Sequence, residues 1–333
     1  MTENRPRVLH TDAFPGRVIK EELEELKKIN AEVIFSACTS EDDVIEAAKG
    51  AEGILSARSP LTRRVIETLK DCKVIARYGI GVDNVDVAAA TDNNIVVANV
   101  PDFCFEEVSN HTIALLLACA KKLVFLGNST RQGRWEHFPE PMGSIHGQTL
   151  GLVGCGNIGR TVAKKAQCLS LRVLGYDPYA DKSVAKEHGI TLTSLPELLK
   201  ESDFVSVHTP LTKETRHIIG ENELRLMKPS AYFINTARGT VVDEQALINA
   251  LRGKWITGAG LDVFEKEPID PDNPLLKMDN VVVTPHTASY SDVSFSLLRR
   301  RVGEAAANVL NGRWPRSVVN KDVKPKINLV GED

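Results

Sequence analysis

The chain has 333 residues, of which 42% are apolar and 26% charged, with a formal net charge of -3. That length exceeds one ordinary hydrophobic core and suits two domains, and the balanced charge, with no broad basic field, argues against nucleic acid or an anionic membrane surface as a partner. The first six residues carry no apolar core, so no signal peptide is expected, and the longest apolar run, 113–120, falls far short of the roughly 20 residues needed to cross a bilayer.

Short apolar runs alternate with amphipathic stretches from the start. Strands are predicted at 7–11, 32–36, 53–55 and 74–76, separated by helices at 21–28, 42–48 and 62–69. This βαβ rhythm implies a parallel sheet with helices on both faces. A long helix is predicted over 108–126, with Ile113, Leu116, Leu117 and Ala120 at helical spacing. Next comes a polar, irregular arm, 127–147, holding Arg131, Arg134 and Trp135. A second series of strands follows at 150–153, 172–176, 204–208, 231–235, 258–262 and 281–284, enough for a full doubly wound sheet. A last helix, 293–310, stops at Asn311-Gly312, and a short basic-polar tail runs from Val318. Six cysteines, at 38, 72, 104, 119, 155 and 168, form no Cys-x-x-Cys pair and no cluster with zinc-ligand spacing. Reduced thiols in a cytoplasmic protein, and no metal, are therefore expected.

The segment Gly154-Cys155-Gly156-Asn157-Ile158-Gly159 joins a predicted strand to a predicted helix at 161–169. Alone such a loop is a weak signal, but here it stands between a strand and a helix and is followed by Asp177 at the end of the next strand. Gly154 allows the tight turn, Gly156 lets the backbone approach a pyrophosphate, and Gly159 lets the helix pack closely. The carboxylate of Asp177 would accept hydrogen bonds from a ribose 2′-hydroxyl and repel a 2′-phosphate, which predicts NAD as the cofactor. Cys155 reads as packing.

Oxidising an alcohol beside a carboxylate also needs a cation to hold the substrate, a base for the hydroxyl proton and a partner for that base. The second half of the chain offers one of each after strand ends, where open α/β sheets bind ligands. Arg238 follows the strand 231–235, Glu267 follows 258–262 and His286 follows 281–284. Guanidinium binds carboxylate in two-point fashion, and a carboxylate beside imidazole fixes its tautomer. Taken singly, each of the three also reads as a surface charge; their joint placement points to catalysis.

The motifs Arg77-Tyr-Gly-Ile-Gly81-Val-Asp83-Asn84, the glycine loop, Val207-His-Thr-Pro210, Asn235-Thr-Ala-Arg238-Gly239, Gly260-Leu-Asp262-Val-Phe-Glu-Lys-Glu267-Pro268 and Thr284-Pro-His286 resemble the D-isomer-specific 2-hydroxyacid dehydrogenases over nearly the whole chain. The resemblance implies Arg238, Glu267 and His286 as the catalytic set, with His286 as proton donor in the reductive direction. It implies that the backbone of Tyr78, Gly79, Ile80 and Gly81 binds the substrate carboxylate, although a plain strand-to-helix turn would look the same. Asn157 and Ile158 would touch the pyrophosphate. Thr209, Thr236, Ala237 and Asp262 would line nicotinamide and ribose, with Asp262 also readable as a hydrogen-bonded strand-end carboxylate.

The resemblance further implies two doubly wound parallel-sheet domains. A discontinuous, flavodoxin-like substrate domain (1–102 and 288–333) would receive an inserted NAD-binding Rossmann domain (103–287). The helix and arm of about 103–147 would form a homodimer interface with Trp135 and Phe138 as anchors, or else pack within the subunit. The segment 285–291 and the ending Val319-Asn-Lys-Asp322 look most like the branch holding the C-terminal binding protein corepressors, with Ser289 where that branch has a bulky aromatic. Arg58 matches a basic residue near the substrate in phosphoglycerate dehydrogenases, and could equally be a surface residue beside a helix start. Formate dehydrogenases carry glutamine where Glu267 stands, which sets that activity aside. Two functions follow as expectations: NADH-linked interconversion of a small 2-oxo acid and a D-2-hydroxy acid, or an NAD(H)-sensitive protein-binding scaffold of the corepressor kind.

Overall fold

The computed structural model describes residues 5–13, 19–135 and 142–331. In chain order its elements are β1 (Arg7–His10), α1 (Lys20–Lys27), β2 (Glu32–Phe35), α2 (Glu41–Ala47), β3 (Gly53–Ser56), α3 (Arg63–Ile66), β4 (Val74–Arg77), α4 (Val87–Asp92) and β5 (Val96–Ala98). Then come α5 (Phe105–Ala120), α6 (Leu123–Arg131), β6 (Thr149–Val153), α7 (Asn157–Cys168), β7 (Arg172–Tyr176), α8 (Lys182–Glu187), β8 (Thr191–Leu192), α9 (Leu195–Glu201) and β9 (Phe204–Val207). The chain ends with α10 (Glu221–Leu226), β10 (Tyr232–Asn235), α11 (Glu244–Arg252), β11 (Gly258–Leu261), β12 (Val281–Val283) and α12 (Asp292–Leu310).

Two compact units result. One joins Met1–Phe103 to Ser291–Asp333, and the other is Cys104–Tyr290. The first holds a five-stranded parallel sheet ordered β2-β1-β3-β4-β5, the flavodoxin-like order. Its fifth strand and the helix before it were not foreseen, because Val96–Ala98 is only three residues long and shows no periodicity. The tail is not loose. The Asn320 side chain accepts from the Val97 N–H at 2.8 Å and donates to the Ile95 carbonyl at 2.9 Å, extending the hydrogen bonding of β5.

The second unit holds a seven-stranded parallel sheet ordered β12-β11-β10-β9-β6-β7-β8. Its interior strand β6 is buried along its whole length, as the continuous apolar run of a strand covered on both faces requires. Alternate residues serve opposite layers. Leu150, Leu152, Phe204 and Ile234 pack with Leu116 of α5 and Val162 of α7, while Val153, Val205 and Phe233 pack with Leu198, Leu224 and Leu247. The sheet has one strand more than expected: β8 is two residues on the edge, too short for a pattern.

The continuous helix expected over 108–126 is two helices. Between α5 and α6 the axis bends by 62°, and Lys122 takes a left-handed backbone with φ of 49°. Apolar residues continue on both sides of the break, so their spacing conceals it. α6 then runs to Arg131, into the stretch read as irregular. Phe138 lies outside the described residues. Among the described residues no single helix is long and apolar enough to cross a membrane.

Candidate active site

The glycine loop connects β6 to α7. Gly154 adopts a left-handed backbone with φ of 101° that a side chain would disfavour, and its N–H donates to the Tyr176 carbonyl at 2.8 Å. A Cβ on Gly159 would lie 2.3 Å from the Gly154 carbonyl oxygen, so the first turn of α7 closes onto the loop only without one. Gly156 is the N-cap of α7, and the space a Cβ would take there is open. The α7 helix therefore begins at Asn157, one turn earlier than its apolar pattern suggests. Asn157 is exposed and bonded by Arg160, and Ile158 is half-buried.

Asp177 directly follows β7 and ties the loop down. Its Oδ2 accepts from the Cys155 N–H at 2.9 Å and its Oδ1 from the Tyr179 N–H at 2.9 Å. Cys155 is buried against Gly175, and burial pushes its thiol up to about 12, which leaves it inert. Thr209 carries a buried hydroxyl with no hydrogen-bond partner among the described residues. An open helix N-terminus, a glycine turn and an unsatisfied hydroxyl are what a bound dinucleotide would complete. His208, one residue before, bonds Ser206 Oγ at 2.9 Å, and burial lowers its pKa to about 4. It is neutral at physiological pH and unsuited to deliver a proton.

After β10, the wholly buried Asn235 shapes the next loop, donating to the Arg238 carbonyl at 2.9 Å and accepting from the Ala237 N–H at 3.0 Å. Thr236 is buried and shares a 2.9 Å hydrogen bond with Thr112. The half-buried Arg238 guanidinium donates to the Ala237 carbonyl at 2.8 Å. Gly239, the last residue of the 235–239 motif, decides how close this loop comes to the next: a Cβ there would lie 1.9 Å from the Phe264 carbonyl carbon.

The loop after β11 brings Glu267 to His286, with Glu267 Oε2 2.6 Å from His286 Nδ1. Glu267 Oε1 accepts from the Phe264 N–H at 3.1 Å. Burial opposes ionisation of this carboxyl, but the His286 hydrogen bond and charge, the Phe264 N–H and the Arg238 charge outweigh it and hold its pKa below the usual range. Arg238, Glu267 and His286 are thus brought together.

Asp262 has no exposed surface. Its Oδ1 accepts from the Thr284 hydroxyl at 2.5 Å and the Thr287 N–H at 2.9 Å, and its Oδ2 from the Ala288 N–H at 2.8 Å. Its backbone carbonyl takes the His286 N–H at 2.8 Å. This carboxylate pins the arch that carries His286, whose backbone is left-handed with φ of 53°.

In the first unit Gly79 has φ of 122°. The carbonyls of Tyr78, Gly79 and Ile80 are taken by Arg77 Nη1, the Val100 N–H and Asn99 Nδ2, at 2.5, 3.1 and 2.6 Å. Gly81 follows in the same loop, half-buried. The Tyr78 hydroxyl donates to buried Glu22 at 2.8 Å, so its ring faces the interior of the unit. Arg58 is exposed, and its N–H donates to Asp12 at 3.0 Å. Among the described residues no group of His, Cys, Asp and Glu could hold a metal ion.

This fold, with a glycine turn feeding an open helix N-terminus beside a carboxylate–imidazole pair, defines a nucleotide-dependent oxidoreductase. Known proteins make the class specific. Residues 113–288 match the D-isomer specific 2-hydroxyacid dehydrogenase, NAD binding domain. A glyoxylate reductase of Korarchaeum cryptofilum is 41% identical over 326 residues, 96% of this chain and 97% of that one. D-3-phosphoglycerate dehydrogenase of Methanocaldococcus jannaschii is 40% identical over 97% of this chain, which spans 61% of that longer protein. A D-lactate dehydrogenase from Aquifex aeolicus, solved with NAD and lactic acid, superposes with a TM-score of 0.82 at 32% identity, covering 92% of this chain and 96% of that one. The chain belongs to the D-isomer-specific 2-hydroxyacid dehydrogenases, NAD-dependent oxidoreductases, and contains their NAD-binding domain.

Proposed function

We propose that this protein reduces a small 2-oxo acid, with glyoxylate or hydroxypyruvate favoured and a phosphorylated three-carbon acid next, to the D-2-hydroxy acid. The observation that carries the reading is His286 Nδ1 held 2.6 Å from Glu267 Oε2, which commits one ring nitrogen to the carboxylate and leaves Nε2 to face a substrate. Several relatives over nearly the full chain are named glyoxylate reductases, which supports the choice of acid.

NADH, when bound, supplies the hydride to the substrate carbonyl carbon. Gly154, Gly156, Asn157, Ile158 and Gly159 would hold its pyrophosphate, Asp177 its adenosine ribose, and Thr209, Thr236 and Ala237 its nicotinamide half. Asp262 acts through the arch it anchors. Arg238 holds the substrate carboxylate and polarises the carbonyl through two parallel N–H donors. The N–H groups of Gly79, Ile80 and Gly81, whose loop carbonyls are already engaged, suit an anion, and Arg58 adds charge for a larger acid. His286 gives the Nε2 proton to the carbonyl oxygen as the alkoxide develops, and Glu267 stabilises the protonated ring beforehand. In the oxidative direction His286 takes that proton back.

A homodimer in the cytoplasm is part of the same reading. Leu123, Val124 and Trp135 are 57, 46 and 76% exposed, an apolar face on α6 and the start of the arm that suits a second copy. Steady-state NADH oxidation against glyoxylate, hydroxypyruvate, phosphohydroxypyruvate and pyruvate tests the activity. Turnover no faster than background with every acid would overturn it.

A further inference from the structure

We propose that His111, on α5, is a positioning residue for His286. The assignment deepens the functional reading above and rests on His286 being the proton donor.

Thr284 has one hydroxyl proton, and its oxygen lies 2.5 Å from Asp262 Oδ1 and 2.8 Å from His111 Nε2. Asp262 accepts the Thr287 and Ala288 N–H groups on its two oxygens, and in the short contact with Thr284 the hydroxyl is the donor and the carboxylate the acceptor. Thr284 therefore gives its proton to Asp262. The hydroxyl oxygen must then accept from His111, so His111 carries a proton on Nε2. The same nitrogen stands 3.5 Å from Asp262 Oδ1, adding attraction to the buried carboxylate.

The chain of donors runs from His111 to Thr284 to Asp262, and Asp262 fastens both sides of His286 through that residue's N–H and those of the two residues after it. His111 is the only side chain in this chain of bonds that comes from a helix; the others sit at strand ends or in the arch. It ties the end of β12 to α5, which is packed into the core of the unit. That bond sets where the arch lies and so how the His286 ring meets Glu267. His111 bonds Thr284 and stands beside Asp262 rather than meeting His286 or Glu267 directly, so it acts on geometry and not on the reacting atoms.

The test uses two variants of the whole enzyme. His111→Phe keeps ring volume and removes the donor; His111→Gln restores an N–H donor. The expected result for H111F is a fall in kcat of about 10-fold, below the roughly 100-fold that a full 1 Å misplacement can cost, with the KM for NADH unchanged within about twofold. H111Q should recover most of the rate. The proposal is overturned if H111F keeps its kcat, if H111Q is as slow as H111F, or if kcat and NADH affinity fall together with thermal stability. His286→Asn, run alongside, separates the two readings. An inactive H286N with a normal H111F removes only the role of His111, whereas an active H286N removes the proton-donor reading itself.

Discussion

His286 Nδ1 and Glu267 Oε2 stand 2.6 Å apart, although the two residues come from loops after different strands. The pairing has a pH consequence. Because the Glu267 pKa is held low in the fold despite burial, its contribution to stability is present above the unfolded carboxylate value and is lost as pH falls through the folded one. In Glu267→Gln the negative charge that favours the imidazolium is gone. The alkaline limb of kcat/KM in the reductive direction should move to lower pH, with kcat down about 10- to 100-fold. An unchanged pH profile would mean that Glu267 does not serve His286.

Arg238→Lys should be severe. Lysine keeps the charge but not the planar pair of donors, so kcat/KM for the 2-oxo acid should fall about 100-fold while NADH affinity, read by fluorescence titration, holds. A loss below fivefold would show that charge alone suffices.

Asp177 should decide cofactor choice. Its oxygens accept the N–H groups of Cys155 in the glycine loop and of Tyr179 after β7, so the side chain is held beside the loop, where its charge would repel a 2′-phosphate. Asp177→Asn keeps one acceptor and removes the charge. The ratio of NADH to NADPH efficiency should shrink by about 10- to 100-fold, the scale of one charge pair near a protein surface. Equal use of both cofactors by the parent enzyme would refute the role.

Glu22 offers a stability test away from the chemistry. It is fully buried, and burial raises its pKa against the partial relief of a backbone hydrogen bond, the Tyr78 hydroxyl and Arg299. The protonated form is therefore the one the fold prefers. Its stabilisation is complete below the unfolded carboxylate value and fades as pH rises through the raised folded one. Glu22→Gln, neutral and nearly isosteric, should raise Tm above the carboxylate range and leave it unchanged at acid pH. A variant that melts lower throughout would show that the carboxyl group itself is required.

The site was legible unevenly. The glycine loop and Asp177 stand out because a tight turn, a close helix and a ribose partner demand residues at set spacing within one βαβ unit. Arg238, Glu267 and His286 were found from their places after strand ends. Gly239 was legible only as the end of a motif; the close approach that requires a glycine there is to Phe264, 25 positions away in the chain. His111 was missed, although the polar run Ser109-Asn-His-Thr112 stands just before the apolar half of α5 and is the signal that could have found it.

By itself the sequence determined the alternation of strands and helices, the two-domain organisation, the dinucleotide turn and the family, because periodicity, turn chemistry and local motifs act over a few residues. Tertiary structure alone decided the break between α5 and α6, the anchoring of the tail on β5, the complete burial of Asp262 and the bond from His111 to Thr284, 173 residues apart. Those features depend on which surfaces meet when the sheets are packed, and a carboxylate at a strand end becomes an anchor or a ligand only when burial determines which donors reach it.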